Sequence, residues 1–191
     1  MTVCIFAASS SRIDKEFEIT ATKLGTLLAK SGMDVVYGGG GIGLMGKLAE
    51  AVLAEGGKIT GVIPAFMKEE GWDHNGVNDM IITSDMGERK KQMFSMADAV
   101  VALPGGMGTL EELTEAITLK QLSLFDGPII ILNTKGYYDS LLRFIDNMIE
   151  TNFMRLEHKG IWEIANSPEE VITALGKKDR GNEEWRRIAK I

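Results

Sequence analysis

Short apolar runs and amphipathic segments alternate along this chain of 191 residues. The first apolar run covers Thr2 to Ala8, and from Asp14 to Ser31 the apolar residues recur at helical spacing on one face. Further apolar runs follow at Met33 to Tyr37, Lys58 to Ile63, Asp79 to Thr83, Ala99 to Leu103, Pro128 to Asn133 and Ile161 to Ala165. This alternation predicts a doubly wound, Rossmann-like α/β fold of about seven mainly parallel strands, with helices on both faces of the sheet.

Two segments lack a clear period. Residues 65–78, which include Trp72, are polar and glycine-containing, so we expect an irregular loop over a site or on the surface. Residues 177–191 are highly charged, and we expect a frayed or helical surface tail. No internal repeat or linker interrupts the pattern, which predicts a single domain over residues 1–191.

Composition and charge exclude several classes of protein. The net charge is −6, which argues against a nucleic-acid surface, because such a surface needs a basic stripe. The single cysteine, Cys4, excludes an internal disulfide framework and a cysteine-based zinc site. With no signal peptide and no long apolar run, we expect a cytoplasmic protein that does not contact a membrane. His74 and His158 lie far apart, so neither a His-rich metal centre nor a serine–histidine triad is predicted.

The stretch from Leu103 to Glu112, Leu-Pro-Gly-Gly-Met-Gly-Thr-Leu-Glu-Glu, predicts a strand, a glycine turn and a helix. Pro104 ends the strand because it has no N–H to donate to a ladder. Three glycines let backbone N–H groups approach an anion: Gly105, Gly106 and Gly108. Thr109 and Glu112 have the spacing of a capping box. The pattern predicts a phosphate cradle at a helix N-terminus, or alternatively a structural turn whose carboxylates complement the helix dipole.

Three other predicted strand ends carry unusual sequences: Ser9 to Arg12, Gly38 to Gly46 and Asp85 to Arg89. Because the carboxyl ends of parallel strands lie at one edge of a sheet, we expect all four special stretches to converge on one ligand site. Arg89 is the best candidate cation for an anionic ligand, since its guanidinium is planar and has several donors. Capping serines and a solvated charged face are the alternatives for these stretches.

Residues Gly41 to Gly46 match the dinucleotide pattern G-x-G-x-x-G. The pattern follows the second predicted strand rather than the first, and the next strand ends at Pro64 without an acidic residue to hold a ribose. We therefore favour a second phosphate or sugar contact loop, including Gly39 and Gly40, over an NAD site.

Three of these stretches together resemble the LOG family, the cytokinin riboside 5′-monophosphate phosphoribohydrolases, many of which were labelled possible lysine decarboxylases. The family pattern P-G-G-x-G-T-x-x-E matches Pro104 to Glu112 at every fixed position. The other matches are Tyr37 to Gly40, Gly43 to Gly46, and the Asp-Met-x-x-Arg-Lys segment from Asp85 to Lys90. The likeness continues through Gly136-Tyr137-Tyr138 to about Phe153, so it covers most of the chain.

The sequence departs from the family pattern at several positions. Gly87 stands where many members have His, Ala7-Ala8 replaces a common Cys-Gly, and Gly41 replaces a common Ser. The loop from Lys68 to Asn78 aligns poorly. These departures affect the expected substrate more than they affect membership of the family.

The resemblance implies hydrolysis of the N-glycosidic bond of a purine nucleoside 5′-monophosphate, either AMP or a cytokinin nucleotide, to the free base and ribose 5-phosphate. It implies Arg89 and Glu112 as the catalytic pair and no metal or organic cofactor. The nucleotide contacts that it implies are Lys90, Gly106, Met107, Gly108, Thr109, Leu110, Glu111, Thr118 and a loop glutamate, for which Glu70 is the best match and Glu69 the next. The strand-end argument adds Ser9, Gly39, Gly40 and Gly105 to these contacts.

The resemblance also implies a homodimer with its site near the subunit interface. Met93 and Met96 lie on the helix that carries Arg89, and a methionine-rich helix can form an adaptable contact surface. These methionines are therefore predicted to contribute to the interface.

Two other functions compete with the hydrolase. A lysine decarboxylase would need pyridoxal phosphate and a Schiff-base lysine, for which the sequence shows no recognisable context. A non-catalytic carrier of a nucleotide or of the molybdenum cofactor, on the same fold, would use the same phosphate cradle. Such a carrier would not require Arg89 and Glu112 as a working pair, so the presence of both residues favours the enzyme.

Overall fold

The computed structural model describes residues 1–77 and 79–177, and within them seven parallel strands form one sheet in the order β4-β3-β2-β1-β5-β6-β7. The strands are β1 (Thr2–Phe6), β2 (Asp34–Tyr37), β3 (Ile59–Pro64), β4 (Asp79–Thr83), β5 (Ala99–Ala102), β6 (Ile129–Leu132) and β7 (Trp162–Ala165). The predicted doubly wound sheet is therefore confirmed. Beyond Lys177, the predicted charged tail lies outside the described residues.

Helices follow the strands in chain order. They are α1 (Lys15–Lys30), α2 (Gly43–Ala54), α3 (Ala65–Glu69), α4 (Met86–Met96), α5 (Met107–Gln121), α6 (Asp139–Glu150) and α7 (Pro168–Leu175), with 3₁₀ turns at Thr134–Gly136 and Leu156–Gly160. Within the described ranges, no helix has both the length and the apolar character needed to cross a membrane. The expectation of an irregular segment over residues 65–78 is wrong at its start. Helix α3 forms directly after Pro64, from residues that favour helices.

Both faces of the sheet are buried. Successive residues of a strand point to opposite faces, so Ile5 packs with α1 and α2 residues such as Leu24 and Leu48, whereas Phe6 packs with residues such as Leu113. Strands β5 and β6 are buried at every position, as expected for parallel strands covered on both sides.

Strand β1 lies in the middle of the sheet, where the direction of the winding changes. From β1 the chain adds β2, β3 and β4 on one side, and it then returns to place β5 on the other side. Beyond the strand ends, Leu103 N–H donates to the Phe6 carbonyl at 2.9 Å and Ala8 N–H donates to the Pro104 carbonyl at 3.3 Å. Ligands of doubly wound sheets bind at such a switch point, outside the carboxyl ends of the strands.

Candidate active site

A cavity of about 590 Å³ opens at this switch point. All four predicted strand ends contribute to its lining, represented by Ser9 after β1, Gly40 after β2, Arg89 after β4 and Glu112 after β5. The end of β3 adds a fifth contribution, which includes Trp72. The predicted convergence of the special stretches is therefore observed.

One end of the cavity is the N-terminus of helix α5. The first helical hydrogen bond runs from Leu110 N–H to the Gly106 carbonyl at 3.0 Å, so the N–H groups of residues 107–109 precede the helical ladder. Gly106 is the N-cap residue, and no side chain of the described residues caps this end. An uncapped helix N-terminus that faces a cavity suits an anionic group, because the N–H groups and the helix dipole both favour negative charge.

The predicted capping box of Thr109 and Glu112 is wrong. Helix α5 already begins at Met107, so Thr109 is its third residue and its side chain is buried. Thr109 packs directly against Gly105, where any Cβ would collide with the threonine side chain. Gly105 is therefore required for a close contact that sets where the helix starts, and Glu112 is free for another role.

Arg89 and Glu112 form a buried ion pair in the cavity lining. Arg89 Nη1 donates to Glu112 Oε1 at 2.6 Å, and the two side chains are only 8% and 9% exposed. Arg89 Nε donates to the Val62 carbonyl at 3.0 Å, at the end of β3. Gly38 makes room for the guanidinium, since a Cβ there would collide with Arg89 Nη2. Strand β3, the glycine loop after β2 and helix α5 thus hold the arginine in one orientation.

The electrostatics of Glu112 reflect its burial. Removal from water raises the pKa of the Glu112 carboxyl, and the adjacent charge of Arg89 and its hydrogen bond only partly oppose this shift. Ionisation of Glu112 therefore costs more free energy in the folded protein than in the unfolded chain. The carboxyl nevertheless lies next to a fixed cation, Arg89. A group held in such a state is typical of a functional site.

Two adjacent tyrosines support the glycine loop from behind. The Tyr137 hydroxyl donates to the Gly105 carbonyl at 2.7 Å, and the buried Tyr138 hydroxyl donates to the Leu103 carbonyl at 2.7 Å. The Tyr137 ring also contacts Phe17 of α1, edge to face, at a centroid distance of 5.9 Å. Sequence reasoning assigned no role to these tyrosines, because nothing local indicates where their hydroxyls bond.

The segment after α3 is tied to the glycine loop of β2. Gly41 N–H donates to the Trp72 carbonyl at 3.0 Å, and His74 N–H donates to the Gly39 carbonyl at 3.0 Å. An isolated antiparallel bridge pairs Gly40 with Asp73 between these two bonds. The segment therefore forms part of the cavity wall. Of the two alternatives expected from the sequence, a loop over a site or a surface loop, the first is observed.

The structure distributes the predicted contact residues between the lining and its surroundings. Those in the lining are Ser9, Gly40, Arg89, Gly106, Met107, Gly108, Thr109 and Glu112. Outside the lining are Gly39, Glu70, Lys90, Gly105, Leu110, Glu111 and Thr118. Apolar lining residues that the sequence did not single out as contacts include Ile42, Met45, Met67 and Met86, of which Met67 lies outside the four special stretches.

The residues outside the lining have other contacts. Lys90 forms ion pairs with Glu111 and, at 2.7 Å, with Glu115. The Thr118 hydroxyl donates to the Thr114 carbonyl at 2.8 Å on the exposed surface of α5. Glu70 is the exposed C-cap residue of α3. Their proposed contacts with a nucleotide stay predictions.

The methionines of helix α4 do not both face outward as predicted. Met93 is completely buried in the core beside Leu113, and Met96 is partly buried against the same cluster. The argument for an interface from Met93 is therefore wrong, because helical periodicity cannot distinguish a partner's surface from the chain's own core.

Comparison with known proteins identifies relatives over nearly the whole chain. The sequence model of the family described as "Possible lysine decarboxylase" matches residues 45–175. Probable cytokinin riboside 5′-monophosphate phosphoribohydrolase LOGL2 of Oryza sativa subsp. japonica is 42% identical over 173 residues, which cover 91% of this chain and 71% of the rice protein. Cytokinin riboside 5′-monophosphate phosphoribohydrolase LOG1 of Arabidopsis thaliana is 41% identical over 173 residues, which cover 91% of this chain and 81% of that protein.

Solved structures show the same fold at lower identity. The molybdenum cofactor carrier protein of Chlamydomonas reinhardtii superposes with a TM-score of 0.67 at 18% identity, covering 91% of this chain and 95% of that one. The molybdenum cofactor binding protein of Rippkaea orientalis gives 0.68 at 21% identity, covering 90% and 93%. At these identities the likeness concerns the fold alone. On the evidence of the family model and of the plant relatives, the chain belongs to the LOG family.

Proposed function

We propose that this protein hydrolyses the N-glycosidic bond of a purine nucleoside 5′-monophosphate and releases the free base and ribose 5-phosphate. The observation that carries the proposal is the buried Arg89–Glu112 pair, which lines the same cavity as the uncapped N-terminus of α5. The plant relatives, named as phosphoribohydrolases of cytokinin riboside 5′-monophosphates, support this substrate class.

The 5′-phosphate would bind at the N-terminus of α5. Residues Gly106 to Thr109 line the cavity there, and their backbone N–H groups precede the helical ladder. Each charge-assisted hydrogen bond of this kind contributes about 1.5–3 kcal/mol. The tyrosine hydroxyls that hold the loop keep these donors in place before the substrate arrives.

Glu112 would act on the ribose. When the bond between C1′ and the base nitrogen breaks, its electron pair goes to the base and positive charge develops on the ribose. A water oxygen then bonds to C1′ and loses a proton, and the departing base takes up a proton, so that one water molecule is added across the broken bond. The Glu112 carboxylate can stabilise the positive charge or orient this water, and its raised pKa suits it to accept the proton.

Arg89 would fix this carboxylate and stabilise the departing base. Two of its nitrogens hold the Val62 carbonyl and Glu112, so the guanidinium is oriented before the substrate binds. A fixed cation costs no reorganisation when negative charge develops on the leaving group.

The deciding experiment is release of free base from AMP and from an N6-substituted AMP, measured by chromatography. We expect adenine or the substituted adenine together with an equal amount of ribose 5-phosphate. Glu112→Gln and Arg89→Ala, purified in parallel, control for contaminating hydrolases. Tight binding of both nucleotides without base release would contradict the proposal.

A second candidate is a carrier of the molybdenum cofactor, the function named for two solved proteins that share the fold. A carrier needs the anion-binding end of the cavity but not a charged Glu112. It therefore predicts that Glu112→Gln leaves the protein's only function, binding, unchanged. Absence of base release from the wild type, together with a pterin cofactor that copurifies with it, would support the carrier instead.

We also propose a homodimer, which rests on the family resemblance rather than on the Met93 argument, and a cytoplasmic location, which rests on the sequence pattern. Light scattering at micromolar concentration should give twice the chain mass of 20.9 kDa. A stable monomer would contradict the dimer, and fractionation of the source cells would test the location.

A further inference from the structure

Trp72 is the aromatic side chain with the most direct access to the cavity. It lines the cavity, and the residue is 50% exposed. Its position lies in the segment that aligns poorly with the family pattern. Ligand cavities are lined mainly by apolar and aromatic side chains, so an indole in the cavity wall is placed to contact a ligand.

The backbone around Trp72 is held firmly. The Trp72 carbonyl accepts from Gly41 N–H at 3.0 Å, and its own N–H donates to the Met67 carbonyl at 3.1 Å at the end of α3. The bridge between Gly40 and Asp73 fixes the next residue. Because these bonds order the backbone in advance, a ligand that contacts the indole avoids much of the entropy cost of ordering a loop.

The cavity lining combines polar and apolar groups. Arg89, Glu112 and the backbone at the start of α5 provide the polar groups, and four methionines line the cavity together with Trp72: Met45, Met67, Met86 and Met107. Thioether side chains contact aromatic rings favourably and adapt to their shape. An indole among methionines is suited to a flat aromatic group, whereas its single N–H offers a phosphate or a sugar only one hydrogen bond.

We propose that Trp72 is a specificity-determining residue that recognises the purine base by stacking. This inference rests on the proposed function for the identity of the ligand, but it concerns binding and does not require turnover. Stacking of a base on an aromatic side chain tolerates different bases, because every base presents a π-face. The site should therefore accept purines with different substituents and bind them more tightly than a ribose phosphate that lacks a base.

The test is calorimetric titration with AMP and with ribose 5-phosphate, which has the same phosphate and sugar but no base. Every protein titrated is the full chain carrying Glu112→Gln, so that AMP is not hydrolysed to ribose 5-phosphate during the measurement. Trp72→Leu should weaken AMP binding about 10-fold or more and leave the affinity for ribose 5-phosphate within about twofold. Trp72→Phe should keep most of the AMP affinity, since it retains an aromatic face. Phe66→Leu is the matched control, because Phe66 is 49% exposed on α3 and does not line the cavity.

Three outcomes would overturn the inference: unchanged AMP affinity in Trp72→Leu, equal losses for AMP and ribose 5-phosphate, or no AMP binding by the parent Glu112→Gln protein. Equal losses would mean that Trp72 only shapes the loop. A wild type that binds AMP without releasing adenine would refute the proposed hydrolysis. The inference about Trp72 would still be tested, because it depends only on the measured AMP affinities. Thermal melts of each variant show that the proteins compared are folded.

Discussion

Replacing Glu112 by glutamine separates the catalytic interpretation from a structural one. Glutamine has nearly the same size, and its amide oxygen can still accept from Arg89 Nη1, so the cavity and the start of α5 are preserved. Only the negative charge is lost. We expect AMP affinity to stay within a few fold while base release falls about 10²–10⁴-fold, which corresponds to about 3–5 kcal/mol of transition-state stabilisation.

Glu112→Gln should not destabilise the protein, whereas loss of an ordinary carboxylate at a helix N-terminus would. Burial raises the pKa of Glu112 above its ordinary value of 4.5 despite the opposing effect of Arg89. A carboxyl with a raised pKa stabilises the folded state most when it is protonated, below pH 4.5, and that stability is lost as the pH rises through the folded-state pKa. At pH 7 the ionised Glu112 therefore lowers the free energy of unfolding, and neutral glutamine removes this cost.

We thus expect the melting temperature of Glu112→Gln at pH 7 to equal or exceed that of the wild type. If the carboxylate only complemented the dipole of α5, its loss would instead cost about 0.3–1 kcal/mol. The assay is adenine release from AMP, measured beside a thermal melt at the same pH. Full activity in the variant, or a lower melting temperature with activity intact, would refute the reasoning.

The remaining predictions concern the groups that hold this pair and the glycine loop. The kcat/KM of the wild type should fall on the acid side with a midpoint above 4.5, the ordinary Glu pKa, and a midpoint at or below it would exclude Glu112 as the titrating group. Arg89→Ala should weaken both AMP binding and turnover, as measured by titration and by base release, because the cation also acts in the ground state. Gly38→Ala should reduce turnover by displacing the guanidinium, and wild-type rates in this variant would mean that Arg89 can shift without loss. Tyr137→Phe removes the hydrogen bond to Gly105 and should raise the KM for AMP about fivefold with a smaller change in kcat. An unchanged KM would show that the glycine loop keeps its conformation without the Tyr137 hydroxyl.

The sequence alone determined the features that depend on neighbours along the chain. The period of the apolar residues defines the strands and most helices, because each element must bury one face or stripe. The glycines and Pro104 mark the turns, since few other residues adopt the required backbone. The alternation of elements indicates a parallel sheet. A parallel sheet in turn places the four strand ends at one edge.

Only the tertiary structure decided how side chains from distant segments meet. Arg89 reaches Glu112, 23 residues away, because Gly38 leaves space for the guanidinium and the Val62 carbonyl orients it. The start of α5 depends on the contact between Gly105 and Thr109, so the spacing of a capping box was misleading there. The period of apolar residues identifies the buried face of an element, but it does not show which other element packs against that face.

The same limit explains the elements around the site. Met93 packs into the chain's own core, the Tyr137 hydroxyl crosses 32 residues of sequence to Gly105, and Trp72 is carried into the cavity wall by bonds to Gly39 and Gly41. The bond to Gly41 is made by Trp72 itself, and the bond to Gly39 is made by His74 in the same segment. Each of these contacts depends on the relative position of two elements, which is set by packing across the sheet rather than by any local pattern. The sequence thus specified the kinds of groups available at the strand ends, and the packing of α4, α5 and the segment after α3 decided which of them line the cavity.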